Sequence, residues 1–151
     1  MMFINLLLLL HLAGVVLAGC IDAVSRRFPN PLAVALALVS IGVVGTAPYR
    51  GWSTLVSHVL LALLACVACF VFELMWRYLR GECGIGMGDV KFLACLMIFS
   101  PPHALLAFAG ALLLLGVACA LSRQKSLPLI PFIAPLWIAL VSLCLPDVLA
   151  R

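Results

Sequence analysis

Gly84-Ile85-Gly86-Met87-Gly88-Asp89-Val90-Lys91-Phe92-Leu93-Ala94-Cys95-Leu96-Met97-Ile98-Phe99 decides how this chain is laid out. Its apolar part, Val90–Phe99, is too short for a membrane span, which needs about 20 mostly apolar residues. It crosses only if the helix also takes in part of Gly84–Asp89. A short, glycine-interrupted segment at membrane depth points to a binding site in transporters, and the same backbone physics holds for an enzyme. Asp89 stands beside two glycines where a charged loop runs into this segment. Asp22 occupies the matching place at the end of the first apolar run. An ionised carboxylate is costly in or near hydrocarbon, so both are candidate functional residues, and together they suggest a pair.

Working outward, 67% of the 151 residues are hydrophobic and 9% are charged. A soluble domain carries roughly a quarter charged residues, so an ordinary soluble protein is excluded. Apolar runs recur throughout, with no linker between them, so residues 1–151 read as a single membrane-embedded domain. The predicted spans are Phe3–Ile21, Leu32–Ala47 (ending at Pro48), Leu55–Trp76, the short Val90–Phe99, His103–Leu121 and Leu127–Leu145. The last carries Pro128, Pro131 and Pro135 near its start, tolerable where neighbouring helices satisfy the freed backbone groups. The expected fold is an all-α integral membrane protein, a six-helix transmembrane bundle with a short fourth helix.

The charges test that count. With the amino terminus outside, the inner loops hold Arg26, Arg27, Arg77, Arg80, Lys91, Arg123 and Lys125, while the outer segments hold only Arg50 and Arg151. This positive-inside bias supports six spans, both termini outside, in a multi-pass protein of the cytoplasmic (inner) membrane. Dropping the short span would put Arg123 and Lys125 outside. The net charge of +4 is therefore a topology signal rather than a nucleic-acid surface, and the expected partner is the lipid bilayer. Asp22 and Asp89 both fall on the cytoplasmic side.

Cysteines 20, 66, 69, 83, 95, 119 and 144 lie mostly within apolar runs and read as small buried hydrophobes. Cys66-x-x-Cys69 has no second pair in a polar loop, so it lacks the setting of a zinc site. His11, His58 and His103 are scattered, and neither a metal nor another cofactor is expected. Leu17-Ala18-Gly19-Cys20 looks like a lipoprotein signal-peptidase box. No Lys or Arg precedes the apolar run, however, and that run exceeds the usual signal core of about 7–15 residues.

Two neighbouring carboxylates cannot both ionise cheaply, so they share a proton. The ionised one can draw a proton from water that attacks a peptide carbonyl, and the protonated one can donate to the carbonyl oxygen or leaving nitrogen. Gly86 and Gly88 would allow unusual torsions and the close approach of an extended substrate strand. Plainer readings exist. Asp89 could cap the fourth helix, Asp22 could pair with Arg26 at i,i+4, Arg26, Arg27 and Lys91 could be topology anchors, and Pro29 and Pro31 could be helix punctuation.

Asp22-Ala23-Val24-Ser25-Arg26-Arg27-Phe28-Pro29-Asn30 resembles the Asp-x(5)-Ile-Pro-Asn stretch of type IV prepilin peptidases, with Phe28 where Ile is usual. Gly86-Met87-Gly88-Asp89-Val90-Lys91 resembles their Gly-x-Gly-Asp-x-Lys signature. The first motif, added to Gly-x-Gly-Asp, separates this family from presenilins and signal-peptide peptidases, which share only the second. The resemblance implies an intramembrane aspartic endopeptidase with Asp22 and Asp89 catalytic and Gly86, Gly88, Lys91, Pro29 and Asn30 in support. Its substrate would be a type IV prepilin or a prepilin-like secretion subunit, cut after a glycine that ends a short basic leader. The first inner loop has no room for the cysteine-rich insert of members that also methylate the product, so the chain resembles the short form of tight-adherence pilus and preflagellin systems. The alternatives are a small transporter or proton-relay subunit using the boundary aspartates, and a structural assembly subunit. The first predicts a polar route to the outer face, where only Asn5, His11, Ser40, His58 and similar scattered groups stand, and the second leaves Gly-x-Gly-Asp unexplained.

Overall fold

The computed structural model describes residues 2–46, 52–81, 86–123 and 127–150, the last without side chains beyond residue 143. Pro48, Arg50, Glu82, Cys83, Gly84, Lys125 and Arg151 lie outside the described residues, as do the side chains of Cys144 and Asp147. Six helices follow one another: α1 Met2–Ser25, α2 Asn30–Thr46, α3 Trp52–Arg80, α4 Met87–Phe99, α5 Pro101–Ser122 and α6 Ile130–Ala150. The expected all-α architecture and short fourth helix are present. Three helices, α1, α3 and α5, are long and apolar enough to cross a membrane, and α2 and α6 contribute shorter apolar helices. Together with the composition they suggest a membrane protein.

α4 answers the puzzle of its own length. In its 13 residues it buries Val90, Phe92, Leu93, Cys95, Leu96, Met97 and Phe99, more than any other helix. It packs against α2, α3 and α5. α3, with 29 residues, buries only Leu55, Ala62 and Glu73. A helix walled by others need not match the thickness of its surroundings, because its neighbours shelter its ends. α4 stops abruptly at Ser100, held extended (φ −156°, ψ 100°) by the proline that follows and capped by its own N–H on the Leu96 carbonyl at 3.0 Å. Pro101 then opens α5.

α1 packs against both α2 and α6. Small residues make those contacts close: a Cβ on Gly14 would lie 3.0 Å from Leu36, and one on Gly19 would lie 3.3 Å from Ala134. Between these helices lies a buried polar cluster. Trp137 Nε1 donates to His11 Nε2 at 3.1 Å, and His11 Nδ1 meets Ser40 Oγ at 3.1 Å. Ser40 Oγ also lies 2.8 Å from the Leu36 carbonyl and 3.1 Å from that of Cys95. Indole N–H can only donate, so His11 carries its proton on Nδ1 and passes the chain of donors to Ser40. Phe99 stacks on the imidazole, centroids 4.7 Å apart. The cluster joins α1, α2, α4 and α6. The thiols of Cys20, Cys66, Cys69, Cys95 and Cys119 are free, and only Cys95 among them is fully buried. The reading of the cysteines as buried hydrophobes therefore holds for Cys95 alone in that group.

Candidate active site

α1 runs four residues past the expected boundary at Ile21, which places Asp22 in its last turn. The Arg26 N–H closes that turn on the Asp22 carbonyl at 2.8 Å. Arg26 itself takes a left-handed conformation (φ 51°) that turns the chain out of the helix. Four residues later α2 begins, with the Ala33 N–H on the Pro29 carbonyl at 3.1 Å. The whole first motif is thus a helix end, a tight turn and a helix start, with Pro29 suited to the turn by its fixed φ and missing N–H.

The Asp22 side chain is buried, 6% exposed, and reaches the start of α6, where the Ile130 backbone N–H donates to it. Asp22 ends one helix but sits at the amino end of another, where free N–H groups favour an anion. Its Oδ2 is buried with no hydrogen-bond partner. Buried polar atoms are rarely left so, and such an atom calls for an explanation.

Asp89 stands in the first turn of α4, behind the N-cap residue Gly86. Its carboxylate reaches back to the Gly86 backbone N–H. The plain capping role is therefore partly real, though played from the third helical position rather than the N-cap. Burial lifts the Asp89 carboxyl to about 6, the negative charge of Asp22 adds to the rise, and the Gly86 hydrogen bond opposes it. The half-buried side chain feels Asp22 across the gap between α1 and α4.

The glycines act differently from expectation. Gly86 has an ordinary extended backbone, φ −68° and ψ 133°, which any residue adopts. What a side chain would meet is the Asp89 carboxylate: a Cβ there would lie 2.9 Å from Asp89 Oδ2, so the carboxylate would have to move. Gly88 is filled from the other side, its absent Cβ 3.3 Å from the Cβ of Phe28. Phe28 is 7% exposed and meets Phe92 edge-on at 5.4 Å, so it locks the α1–α2 turn onto α4. Lys91 Nζ donates to Asn30 Oδ1 at 2.9 Å, a second tie between the two motifs.

Of the expected site residues, Asp22, Gly86, Gly88, Asp89 and Lys91 border one cavity of about 440 Å³, and Pro29 and Asn30 do not. Its walls are Asp22, Arg26, Arg27 and Phe28 from one motif, Gly86 to Asp89 and Lys91 from the other, and Leu127 to Leu129. The sequence reading missed that last segment, and Pro128, just before α6, was the only trace of it. Arg26 lines the cavity but forms no ion pair with Asp22; the ion pair found among the described residues is Arg77 to Glu73, at 2.7 Å. No three His, Cys, Asp or Glu side chains gather as a possible ligand set among the described residues.

No curated protein and no solved structure matched the chain. A family model did, that of the type IV leader peptidase family, over residues 7–143. That stretch takes in both motifs, every wall of the cavity and the His11 cluster. The chain belongs to the type IV leader peptidase family.

Proposed function

We propose that this peptidase is an aspartic endopeptidase, with Asp22 and Asp89 as its dyad, cleaving the leader of type IV prepilins or prepilin-like proteins. The observation that carries the reading is the shared cavity, where two motif carboxylates from opposite parts of the chain meet with different environments. Burial pushes the Asp22 carboxyl up as well, but the Ile130 N–H at the start of α6 and the charge of Arg26 oppose that rise, so Asp22 is the member of the pair that ionises first. Its partnerless oxygen is the one that takes a proton from water. Asp89, lifted to about 6, holds the shared proton and gives it to the carbonyl oxygen as water attacks. When the tetrahedral intermediate collapses, Asp22 passes the proton it took from water to the leaving nitrogen and Asp89 takes one back from the hydroxyl, which restores the dyad. Water supplies hydroxyl to the new carboxyl end and hydrogen to the new amine, so the reaction needs no other reactant.

Supporting residues divide by task. Gly86 gives Asp89 room, Phe28 on Gly88 and Asn30 on Lys91 hold the two motifs in register, and Arg26, Arg27 and Lys91 temper the negative charge of the cavity. The biased distribution of Lys and Arg favours both termini outside, the dyad at the cytoplasmic face of the inner membrane, and a multi-pass topology. The α1–α2 turn is too short for an added methylating domain, so the product leaves this enzyme with a free, unmethylated amine.

Coexpression with a candidate prepilin, followed by amino-terminal sequencing of the product, tests the reading. A new terminus immediately after the glycine that ends the leader is expected. An uncut prepilin, or a cut elsewhere that survives Asp89→Asn, overturns it.

A further inference from the structure

The dyad cavity has a neighbour. A groove of about 510 Å³ runs between α2 and α3 with α4 as its floor, and Met87 and Lys91 border both spaces. From Met87 it follows α4 as far as Cys95, eight residues or roughly 12 Å of helix. Its walls are low. Ala33 and Ala37 come from α2, Cys66 and Cys69 from α3 and Ala94 from α4. Small side chains of this kind let a further helix approach backbone-close within a membrane. Val34, Val67 and Phe70 at its edges are exposed, so the groove opens sideways rather than inward. Its one acidic group, Glu73, is 3% exposed and paired with Arg77.

The other side of the dyad is closed. There α1 lies against α6 so tightly that a Cβ on Gly19 would sit 3.3 Å from Ala134. A peptide cut at the dyad and continuing into hydrocarbon therefore has an open way along α4 and none between α1 and α6.

We propose that the groove between α2 and α3 receives the first two turns of the substrate's apolar helix, running parallel to α4 with its start at Met87. This rests on the peptidase reading above and adds where the substrate lies. A helix so placed has its amino end beside Lys91 and the cavity, where the scissile bond must be. Two native thiols report on it: Cys69 lies nearer the dyad end, and Cys66 one turn further along the groove. Cys20, exposed on α1, reports on the opposite face.

The test uses a probe of a basic leader ending in glycine followed by an apolar helix of about 20 residues, with a single cysteine moved along its first two to three turns. The enzyme carries Asp89→Asn to hold the probe uncut, and only one of Cys69, Cys66 or Cys20 is kept, the others becoming alanine. Both are reconstituted in phosphatidylethanolamine–phosphatidylglycerol vesicles and treated with a short thiol crosslinker. Expected are crosslinks to Cys69 and to Cys66, the best probe position for Cys66 lying about three or four residues further from the cut. In the enzyme with Asp89 intact, Ala37→Leu should raise KM for the full probe about 10-fold or more, while a peptide ending a few residues after the glycine is cut as before.

Crosslinks to Cys20 alone, or to none of the three while the intact enzyme still cuts the probe, overturn the groove and leave the peptidase reading standing. The second result would mean that lipid chains occupy the groove. An equal KM change for the short peptide also overturns it. Failure of the intact enzyme to cut any probe is a different result and sinks the peptidase reading itself.

Discussion

At mid-bundle, His11, Ser40 and Trp137 use both imidazole nitrogens, the hydroxyl and the indole N–H. At the end of the bundle, Asp22 keeps a buried oxygen with nothing to bond. Both clusters bring together groups from α1, α4 and α6, and both lie in an apolar protein where unpaired polar atoms are costly. The first is saturated, with its tautomer fixed by its partners. The second is left one proton short, beside a cavity. A saturated network holds helices together. An unsaturated one is poised to exchange a proton, and only the second has room for a substrate.

The comparison breaks first at the dyad. Asp22→Asn and Asp89→Asn are each expected to lower leader cleavage by ~10²–10⁴-fold, because an amide keeps the shape but cannot shuttle a proton. Membrane insertion should be unchanged in both. Substantial cleavage by either variant in a coexpression assay would end the two-carboxylate mechanism. Glu73→Gln should keep kcat, since Glu73 lines the groove and not the dyad cavity; Glu82→Gln and Asp147→Asn should stay active, since neither has the paired boundary placement of Asp22 and Asp89.

Gly86→Ala sharpens the contrast by moving one carboxylate without removing it. Its Cβ would press on Asp89 Oδ2 from 2.9 Å. A displacement on the order of 1 Å costs up to ~10²-fold in rate, with KM little changed. Unchanged kcat would show that the position of Asp89 is not held by this contact.

Ser40→Ala addresses the saturated side. It leaves the His11 Nδ1–H without an acceptor, at a cost of about 1–3 kcal/mol in stability. Thermal unfolding in detergent should report that loss, while cleavage per folded molecule stays at the parent level. A variant that unfolds normally but cleaves poorly would place the mid-bundle cluster in the chemistry after all.

The smallest effect concerns pH. Asp89 rises from 3.8 to about 6 on folding, so the folded protein favours its protonated form. Below 3.8 both states are protonated and nothing is lost. Between there and about 6 the unfolded chain ionises first, and the parent loses stability as pH rises; above 6 the loss is complete. Asp89→Asn removes it, so the variant should melt with the parent at pH 3.5 and above it at pH 7. Equal melting at both pH values would deny that burial strains this carboxyl.

Much of the site was legible because polar residues stand out in an apolar chain. Asp22, Asp89, Lys91 and Asn30 are informative against leucine and valine, and they do border or brace one cavity. Gly86 was legible as a glycine of the site, but its torsion is ordinary and the crowding by Asp89 could not be foreseen, since torsion and a close neighbour leave the same letter. Phe28 read only as a conservative replacement for Ile, because one apolar residue among many gives no sign of which surface it covers. The Ile130 N–H leaves no trace at all: a backbone donor is the same in every residue, and only the packing of α6 on α1 aims it at Asp22. The count of six helices followed from run lengths and charges, whereas the central burial of α4 depended on which helices meet.

The contact of Phe28 with Gly88 has a consequence for anyone recombining members of this family. The two motifs are far apart in the chain but share one surface, the Cβ and backbone N of Phe28 lying 3.3 and 3.6 Å from where a methyl group at 88 would be. A graft of the second motif alone, carrying any residue with a side chain at 88, would press on the recipient's Cβ and backbone at the 28 position. Grafts that exchange both loops together should keep their fit.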